Sequence, residues 1–293
     1  KNYDYNFIAK NYIETAEHPR IIGLTASPGS EKSTINEICK NLSIEEVELR
    51  TRESIDVKEY VQDLEFEKIE INFPPEMEEI RQALLRVFSN YADELRSRKL
   101  LFGPPTKIGL IELQKKIMGY IARGNKNFNY LIASSTCAQA IKIQHALELL
   151  ETQTLQSFNN YLKTLLDQAS KKQSRGVVKL VSKPEFTFAY LRSNILLEKG
   201  IEHPKVQELV NIIEKEIGEN ASGKIIVFTQ FRDTASIISR KLNAIENVKA
   251  KIFVGQAKRI NAGETTGLNQ KEQRRVITEF SSGEINVLCA TSI

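Results

Sequence analysis

Short apolar runs that end in small polar residues alternate with amphipathic segments near both ends of the chain. Near the N-terminus, residues 7–15 and 33–41 have helical periodicity, whereas residues 21–25 and 46–50 have the apolar character of strands. These segments predict one α/β repeat of a parallel sheet. Because an open parallel sheet needs several strands and helices on both faces, we expect this repeat to lie in a larger domain that begins before the chain does.

The middle of the chain, from about residue 74 to residue 200, has helical periodicity. Pro74 and Pro75 mark the start of a helix. The apolar stripe that follows, at spacings of three and four residues, consists of Ile80, Leu84, Val87, Tyr91 and Leu95. Further helices are predicted over residues 108–121, 129–169 and 186–197. The pattern predicts an antiparallel helical bundle with the stripes in its core.

The last part of the chain returns to an α/β pattern. Three short runs rich in β-branched residues predict buried parallel strands, at residues 224–231, 249–255 and 285–291. Helices are predicted between them, at residues 234–242 and 269–280. The second of these helices opens on Asn269 in a capping-box pattern and closes before Gly283. This order implies right-handed crossovers and one open sheet.

We therefore expect an α/β fold made of parts of two parallel-sheet domains with a helical bundle between them. The expected boundaries are residues 1–72, 73–202 and 203–293. Because the sequence stops at Ile293, directly after a strand end, we also expect the last sheet to continue beyond it.

Composition excludes few classes of protein. The chain has 293 residues, 41% of them hydrophobic, with no apolar run of membrane-spanning length, and its first ten residues lack the hydrophobic core of a signal peptide. Cys39, Cys137 and Cys289 are far apart among apolar neighbours, which predicts buried free thiols and a reducing compartment. The three histidines lack the spacing of metal ligands, so no metal site is predicted.

Four of the predicted strands end in small or polar residues. In an open α/β sheet ligands bind at the carboxyl ends of the strands, where hydroxyls, amides and an arginine can bind phosphates. The candidates are Thr25, Ala26 and Ser27 after the first strand, and Thr229, Gln230 and Arg232, Gly255 and Gln256, and Thr291 and Ser292 after the later ones. One such strand end is weak evidence, but four in this order favour a nucleotide or nucleic-acid site.

A basic segment and one helix face in the middle region are further candidates for binding a polyanion. Between residues 171 and 183 the chain has no acid and five basic residues, namely Lys171, Lys172, Arg175, Lys179 and Lys183. Lys142 and His145 are three residues apart and share a helix face. The residues alone equally allow a solvated loop for the segment and a packed core position for His145.

The order of the strand ends resembles the superfamily 2 helicases, and in particular the archaeal Hef and FANCM group. The motifs are IIGLTASPG, KIIVFTQFRDTA, VGQA, GLNQKEQ and FSSGEINVLCATSI, and the resemblance also covers the helical segment AIKIQHALELLETQ. It implies parts of two RecA-like domains separated by a helical insertion that is compared in this family to a polymerase thumb.

The resemblance also implies roles for the candidates. The residues Thr25, Ala26 and Ser27 resemble motif III, which couples the nucleotide site to the DNA cleft. Thr229, Gln230 and Arg232 resemble motif IV, Gly255 and Gln256 follow it, and Thr291 and Ser292 open motif V. These later residues would line the path of one nucleic-acid strand. Contacts of that kind fix position but read little sequence.

The groups that carry out ATP hydrolysis in such helicases are missing from this sequence. There is no phosphate-binding loop of the G-x-x-x-x-G-K-[ST] type, no Asp-Glu-Ala-His box, and no arginine-rich motif VI. Because phosphoryl transfer needs all of them, we expect ATP and Mg²⁺ to be cofactors of the full-length protein only, and this chain alone to be inactive towards ATP.

The expected partner is forked or branched DNA, bound by a helicase or translocase that repairs replication forks in the cytoplasm of an archaeal cell. No residue identifies a sliding-clamp or nuclease partner, and none indicates a membrane. Two alternatives stay open. Helicases that sense or process double-stranded RNA, such as the RIG-I and Dicer group, carry a comparable insertion, and the chain could instead be a non-catalytic nucleic-acid-binding module.

Overall fold

The computed structural model describes residues 4–27, 29–61, 64–124, 127–220, 222–256, 259–261 and 264–291. The chain divides into two compact units, Lys1–Ile69 and Glu70–Ile293.

The first unit is helical where it is regular. It contains α1 (Asp4–Thr15), α2 (Lys32–Leu42) and the single turn α3 (Ile55–Lys58), and the first two agree with the predicted helices. The predicted strands at residues 21–25 and 46–50 are wrong, since neither segment pairs with another strand. The side chains of Ile22 and Leu24 are 84% and 92% exposed. A strand is held by the hydrogen bonds of its neighbours, and the described part of this unit provides no neighbour.

The second unit begins with a bundle of six helices. They are α4 (Pro75–Ser97), α5 (Lys107–Ala122), α6 (Phe128–Thr152), α7 (Leu155–Ser170), α8 (Arg175–Val181) and α9 (Pro184–Glu198). The predicted apolar stripe of α4 is buried at every position. The Oη of Tyr91 donates a 2.7 Å hydrogen bond to Gln139, so the core also fixes the polar end of this ring. The predicted bundle is therefore confirmed.

The long helix predicted over residues 129–169 is two helices. The chain reverses at Gln153 and Thr154, and the Oγ1 of Thr154 accepts a 3.0 Å hydrogen bond from the backbone N–H of Ser157. This N-cap satisfies an amide that would otherwise lack a partner at the start of α7. The basic segment of residues 171–183 likewise contains α8, which was not predicted.

The antiparallel order of the helices follows from contacts near their ends. α6 starts beside the end of α4, where Arg98 Nη1 donates to Asn129 at 2.7 Å, and ends near its start, where Arg81 Nε donates to Glu151 at 2.6 Å. α7 runs back along α6, and α8 then crosses it at Gly176. A Cβ on that glycine would lie 3.1 Å from the Oγ of Ser135, so the close approach favours glycine.

An α/β part completes the second unit. It consists of α10 (Pro204–Glu219), β1 (Ile225–Thr229), α11 (Arg232–Leu242), β2 (Ala250–Phe253), β3 (Arg259–Asn261), β4 (Glu264–Thr266), α12 (Gln270–Ser282) and β5 (Val287–Thr291). The predictions missed α10 and the antiparallel β3–β4 hairpin. The other helices and strands agree with the predictions to within a few residues.

The three long strands form one parallel sheet in the order β1-β5-β2. All residues of β5 are buried because it lies in the centre of the sheet, whereas the edge strand β1 exposes alternate positions. The capping box of α12 is confirmed, since Asn269 and Glu272 exchange side-chain to backbone hydrogen bonds. Gly283 ends this helix with a φ of 81°, which favours glycine.

The cysteines are free thiols, as predicted. Cys137 and Cys289 are buried, and burial raises the pKa of these thiols to about 11 and about 12, respectively. Cys39 is only half-buried. In the part of the chain that the structure covers, no helix combines the length and apolar character that crossing a membrane requires.

Candidate nucleic-acid interface

The ends of β1, β5 and β2 bring several predicted site residues to one edge of the sheet. Because these strands are parallel, Thr229 lies opposite Thr291, and Gly255 follows the end of β2 two residues after its pairing with β5. Gln230 and the exposed Gln256 continue from the same edge. Ser292 lies outside the described residues.

The two threonines at this edge face the protein. Thr229 Oγ1 donates to the carbonyl oxygen of Phe231 at 3.1 Å, which tightens the turn between β1 and α11. Thr291 is 5% exposed. Their hydroxyls therefore shape the strand ends, and a ligand at this edge would meet the backbone and the neighbouring longer side chains.

Arg232 lies across the strand end that carries Gly255. A Cβ placed on Gly255 would be 2.9 Å from Nη2 of Arg232, closer than real Cβ contacts allow. Glycine at this position therefore lets the guanidinium lie over the end of β2, beside the edge of the sheet. Gln273 of α12 holds the same turn, because its Nε2 donates to the carbonyl oxygen of Val254 at 2.9 Å.

Gln230 makes a contact that the sequence did not predict. Its Nε2 donates a 3.0 Å hydrogen bond to Oε1 of Glu148 on α6. The other carboxylate oxygen of Glu148 pairs with Lys107 Nζ and lies 3.3 Å from Nδ1 of His145. Burial raises the pKa of Glu148, but the hydrogen bonds from Lys107, His145 and Gln230 outweigh it and hold the pKa below its usual value. A carboxylate thus joins the strand end to the bundle.

Phe231 extends this contact into the bundle. Its ring lies 5.4 Å from that of His145, which in turn lies 4.8 Å from Tyr161, and both pairs are edge-to-face. Burial lowers the pKa of His145 against the opposing effect of Glu148. The His145 side chain is therefore engaged inside the protein. Lys142, one turn earlier on α6, is half-buried, and its carbonyl oxygen accepts from Tyr161 at 3.3 Å.

Sequence reasoning missed Glu148 and Phe231. The sequence did contain one signal for Glu148. It is the first acidic residue after a long stretch of α5 and α6 that contains no Asp or Glu, and it follows His145 by three residues on α6. Its partner Gln230, 82 residues further on, could not be found from spacing.

The basic segment lies at the end of the bundle farther from the α/β part. We call this the distal end, formed by the end of α4, the α5–α6 turn and residues 171–183. Its basic residues are Arg96, Arg98, Lys99, Arg123, Lys171, Lys172, Arg175, Lys179 and Lys183. Two acids of α4 at this end are already paired, Asp93 with Arg96 and Glu94 with Arg98, each at 2.9 Å. Lys171, Lys172 and Arg175 are exposed, so their charges can reach a polyanion.

The residues Thr25, Ala26 and Ser27 belong to the first unit and are exposed. The backbone N–H of Ser27 donates to Oγ1 of Thr25 at 3.1 Å, so the two hydroxyl residues form a local turn. Throughout the described residues, no group of three or more His, Cys, Asp or Glu side chains could hold a metal ion.

Two protein families match the second unit. Residues 76–195 match the family described as "Putative ATP-dependent RNA helicase, helical bundle", and residues 204–293 match the helicase conserved C-terminal domain. The fold and these matches define the class as helicase-family proteins in which a helical bundle precedes a RecA-like domain.

The chain is similar over its whole length to known helicases. It is 32% identical to "Putative ATP-dependent RNA helicase MJ1505" of Methanocaldococcus jannaschii, covering 100% of this chain and 35% of the relative. It is 26% identical to the DEAD-box ATP-dependent DNA helicase Fancm of Drosophila melanogaster, covering 99% and 21%. The crystal structure of the Pyrococcus furiosus Hef helicase domain matches with 35% identity and a TM-score of 0.72, covering 99% of this chain and 59% of that one.

The chain belongs to the superfamily 2 helicases of the Hef and FANCM group. It spans about a third or less of the two curated relatives named above.

Proposed function

We propose that this chain is the part of an ATP-dependent DNA helicase or translocase that holds forked or branched DNA during repair of replication forks. The observation that carries the proposal is the distal end of the bundle, to which several helices and turns contribute exposed basic residues. The name of the Drosophila relative, a DNA helicase, supports DNA as the partner.

In this proposal the bundle holds duplex DNA beside the branch while the sheet edge follows one strand. Arg232 and the backbone at Gly255 and Gln256 contact phosphates, together with residues at the start of motif V. Phosphate contacts of this kind position a protein without reading sequence. The exposed motif III residues, at positions 25–27, couple this binding to nucleotide turnover. The three functional regions are residues 1–72, 73–202 and 203–293.

ATP and Mg²⁺ are the proposed cofactors of the full-length protein, which we place in the cytoplasm of an archaeal cell, on the nucleoid. This chain on its own binds DNA and does not hydrolyse ATP. A phosphate-release assay with and without forked DNA tests this statement. DNA-stimulated turnover by the purified chain would contradict it.

The DNA-binding proposal is tested by fluorescence anisotropy of the chain with forked DNA, linear duplex DNA and duplex RNA across a salt series. Each phosphate contact contributes about 0.9 to the slope of log K against log salt on B-DNA. Replacing Lys171, Lys172 and Arg175 by alanine should therefore lower the magnitude of the slope by up to about 2.7.

The matched control removes the same charge elsewhere. Lys199, Lys215 and Lys249 are exposed and lie outside the distal end, so replacing them by alanine should leave most of the slope intact. An unchanged slope in the first triple variant, or an equal decrease in both, would remove the distal end from the interface.

A second candidate function has its own support. The matched bundle family and the Methanocaldococcus jannaschii relative are both described as RNA helicases. A protein that recognises A-form duplexes contacts 2′-hydroxyls and the shallow minor groove. Tighter binding to duplex RNA than to both DNA probes at matched salt would favour this function. Binding to none of the probes would favour a module that recognises a protein partner.

A further inference from the structure

The turn between β1 and α11 is fixed to the bundle by several of its side chains. Gln230 Nε2 donates a 3.0 Å hydrogen bond to Oε1 of Glu148 on α6. The ring of Phe231, the next residue, packs against the core of the bundle. In the first turn of α11, the hydroxyl of Thr234 lies 3.3 Å from that of Ser157 on α7, and both residues are buried. The bundle therefore sets the position at which α11 begins.

Arg232 is the residue whose placement this turn decides. It is the first residue of α11 and follows Phe231 directly. Its Nη2 lies 2.9 Å from the point that a Cβ on Gly255 would occupy, so the guanidinium reaches over the end of β2. Because the side chain starts from the backbone of the turn, a shift of the turn moves the guanidinium with it. The contacts with the bundle thus decide where this charge lies at the sheet edge.

Glu148 is well suited to hold the turn. Its side chain is only 21% exposed, and its second oxygen is engaged by Lys107 of α5 and lies 3.3 Å from Nδ1 of His145. A hydrogen bond to a charged acceptor is about twice as strong as one between neutral groups. Gln230, in contrast, is exposed, so water competes for its side chain. Without the carboxylate, the turn would lose this polar contact with the bundle.

We propose that Glu148 is a positioning residue for nucleic-acid binding: it holds Gln230 on the bundle and thereby fixes the β1–α11 turn, so that Arg232 meets the phosphates of one strand. This inference rests on the proposed strand binding at the sheet edge. Positioning and charge predict effects of opposite sign. The negative charge of Glu148 repels phosphates, so its removal would strengthen binding if charge alone mattered. Loss of a positioning residue weakens binding instead.

The test is fluorescence anisotropy of the chain with labelled oligodeoxythymidylate across a salt series. Each phosphate contact on a single strand contributes about 0.7 to the slope of log K against log salt. Glu148→Ala should lower the magnitude of the slope by about 0.7, which weakens binding about 5-fold at about 0.1 M salt. Arg232→Ala should give the same changes, because the two variants lose the same phosphate contact.

Two further variants separate positioning from charge and from a folding defect. Glu148→Gln removes the charge but keeps a polar group that can pair with the amide of Gln230, so it should restore the slope. Glu151→Ala removes an acid from the same helix, where its carboxylate accepts from Arg81 at 2.6 Å and does not contact the strand end. It should not weaken binding. Thermal unfolding followed by circular dichroism checks that all variants fold.

A double variant tests whether Glu148 acts through Arg232. Glu148→Ala combined with Arg232→Ala should bind no more weakly than Arg232→Ala alone, because the guanidinium that Glu148 places is already absent. Losses that add would show that the two residues act independently, and would overturn the inference. If Glu148→Ala does not fold, Gln230→Ala removes the same hydrogen bond from its exposed side, and the same comparison with Arg232→Ala decides.

The outcomes separate this inference from the function on which it rests. Single-strand binding by Glu148→Ala that equals or exceeds that of the unaltered chain would overturn the positioning role and leave the proposed function in place. Equal weakening in Glu148→Gln would assign the effect to the charge beside Lys107 and would also overturn it. Absence of single-strand binding by the unaltered chain would overturn both the strand-binding edge and the inference, whereas fork binding by the distal end is measured separately.

Discussion

Phe231 is the residue at which the bundle and the α/β part of the second unit depend most visibly on each other. It lies between β1 and α11 but packs against the core of the bundle and against the ring of His145. Phe231→Ala removes that contact without changing any residue of the sheet. We expect it to destabilise the α/β part more than the bundle.

The expected loss in the free energy of unfolding follows from the burial of the Phe231 ring. A fully buried Phe→Ala change costs about 3–5 kcal/mol, and Phe231 is half-buried, so about 2 kcal/mol is expected from the lost burial. Loss of the edge-to-face pair with His145 adds about 0.5–1.5 kcal/mol. We therefore expect the free energy of unfolding to fall by about 2.5–3.5 kcal/mol. Phe228→Ala is the matched control: this ring, three residues earlier, is 77% exposed, and its loss should cost about 0.5 kcal/mol or less.

The chain contains no tryptophan, so urea unfolding is best followed by far-ultraviolet circular dichroism. Hydrogen exchange of the same variants locates the effect, and amide protection should fall in β1 and α11 while α4 keeps most of its protection. A loss in Phe231→Ala no larger than that in Phe228→Ala would refute the reasoning. Equal loss of protection in α4 would show instead that the two parts unfold as one.

The remaining predictions concern pH, the strand end and a helix cap. Burial lowers the pKa of His145 and of His203 in the folded chain. As the pH falls through about 6.5, the ordinary histidine pKa, the unfolded chain therefore binds more protons than the folded chain. The thermal midpoint should therefore fall from pH 7.5 to 5.5, and a midpoint that rises would contradict this. Gly255→Ala should displace the guanidinium of Arg232 and weaken single-strand binding with little change in stability, as anisotropy and thermal unfolding can show. Asn269→Ala should cost about 1 kcal/mol in urea unfolding, and no measurable loss would mean that the capping box is not stabilising.

Local patterns in the sequence predicted the parts of the fold that depend on neighbours along the chain. The stripe of α4, the capping box of α12 and the three strands of the sheet each follow from spacing and residue type, because periodicity reports which face is buried. The break between α6 and α7 was missed because apolar periodicity continues through it, and only the cap at Thr154 marks the turn.

Only part of the candidate site was predicted, because local patterns do not report contacts between distant residues. The strand ends could be found, since residues that follow parallel strands collect at one edge whatever the rest of the protein does. Gln230 and His145 were assigned by type and position, but their contacts depend on where α6 and β1 meet.

By itself the sequence determined the class of fold and the clustering of basic residues between positions 171 and 183. The tertiary structure alone decided which of these residues face outward together. It placed the basic segment and the α5–α6 tip at one end of the bundle, and it directed Gln230 and Phe231 into the bundle. The physical reason is that hydrophobic periodicity acts within one helix or strand, whereas the partner of a polar or aromatic side chain is set by contacts between residues far apart in the chain.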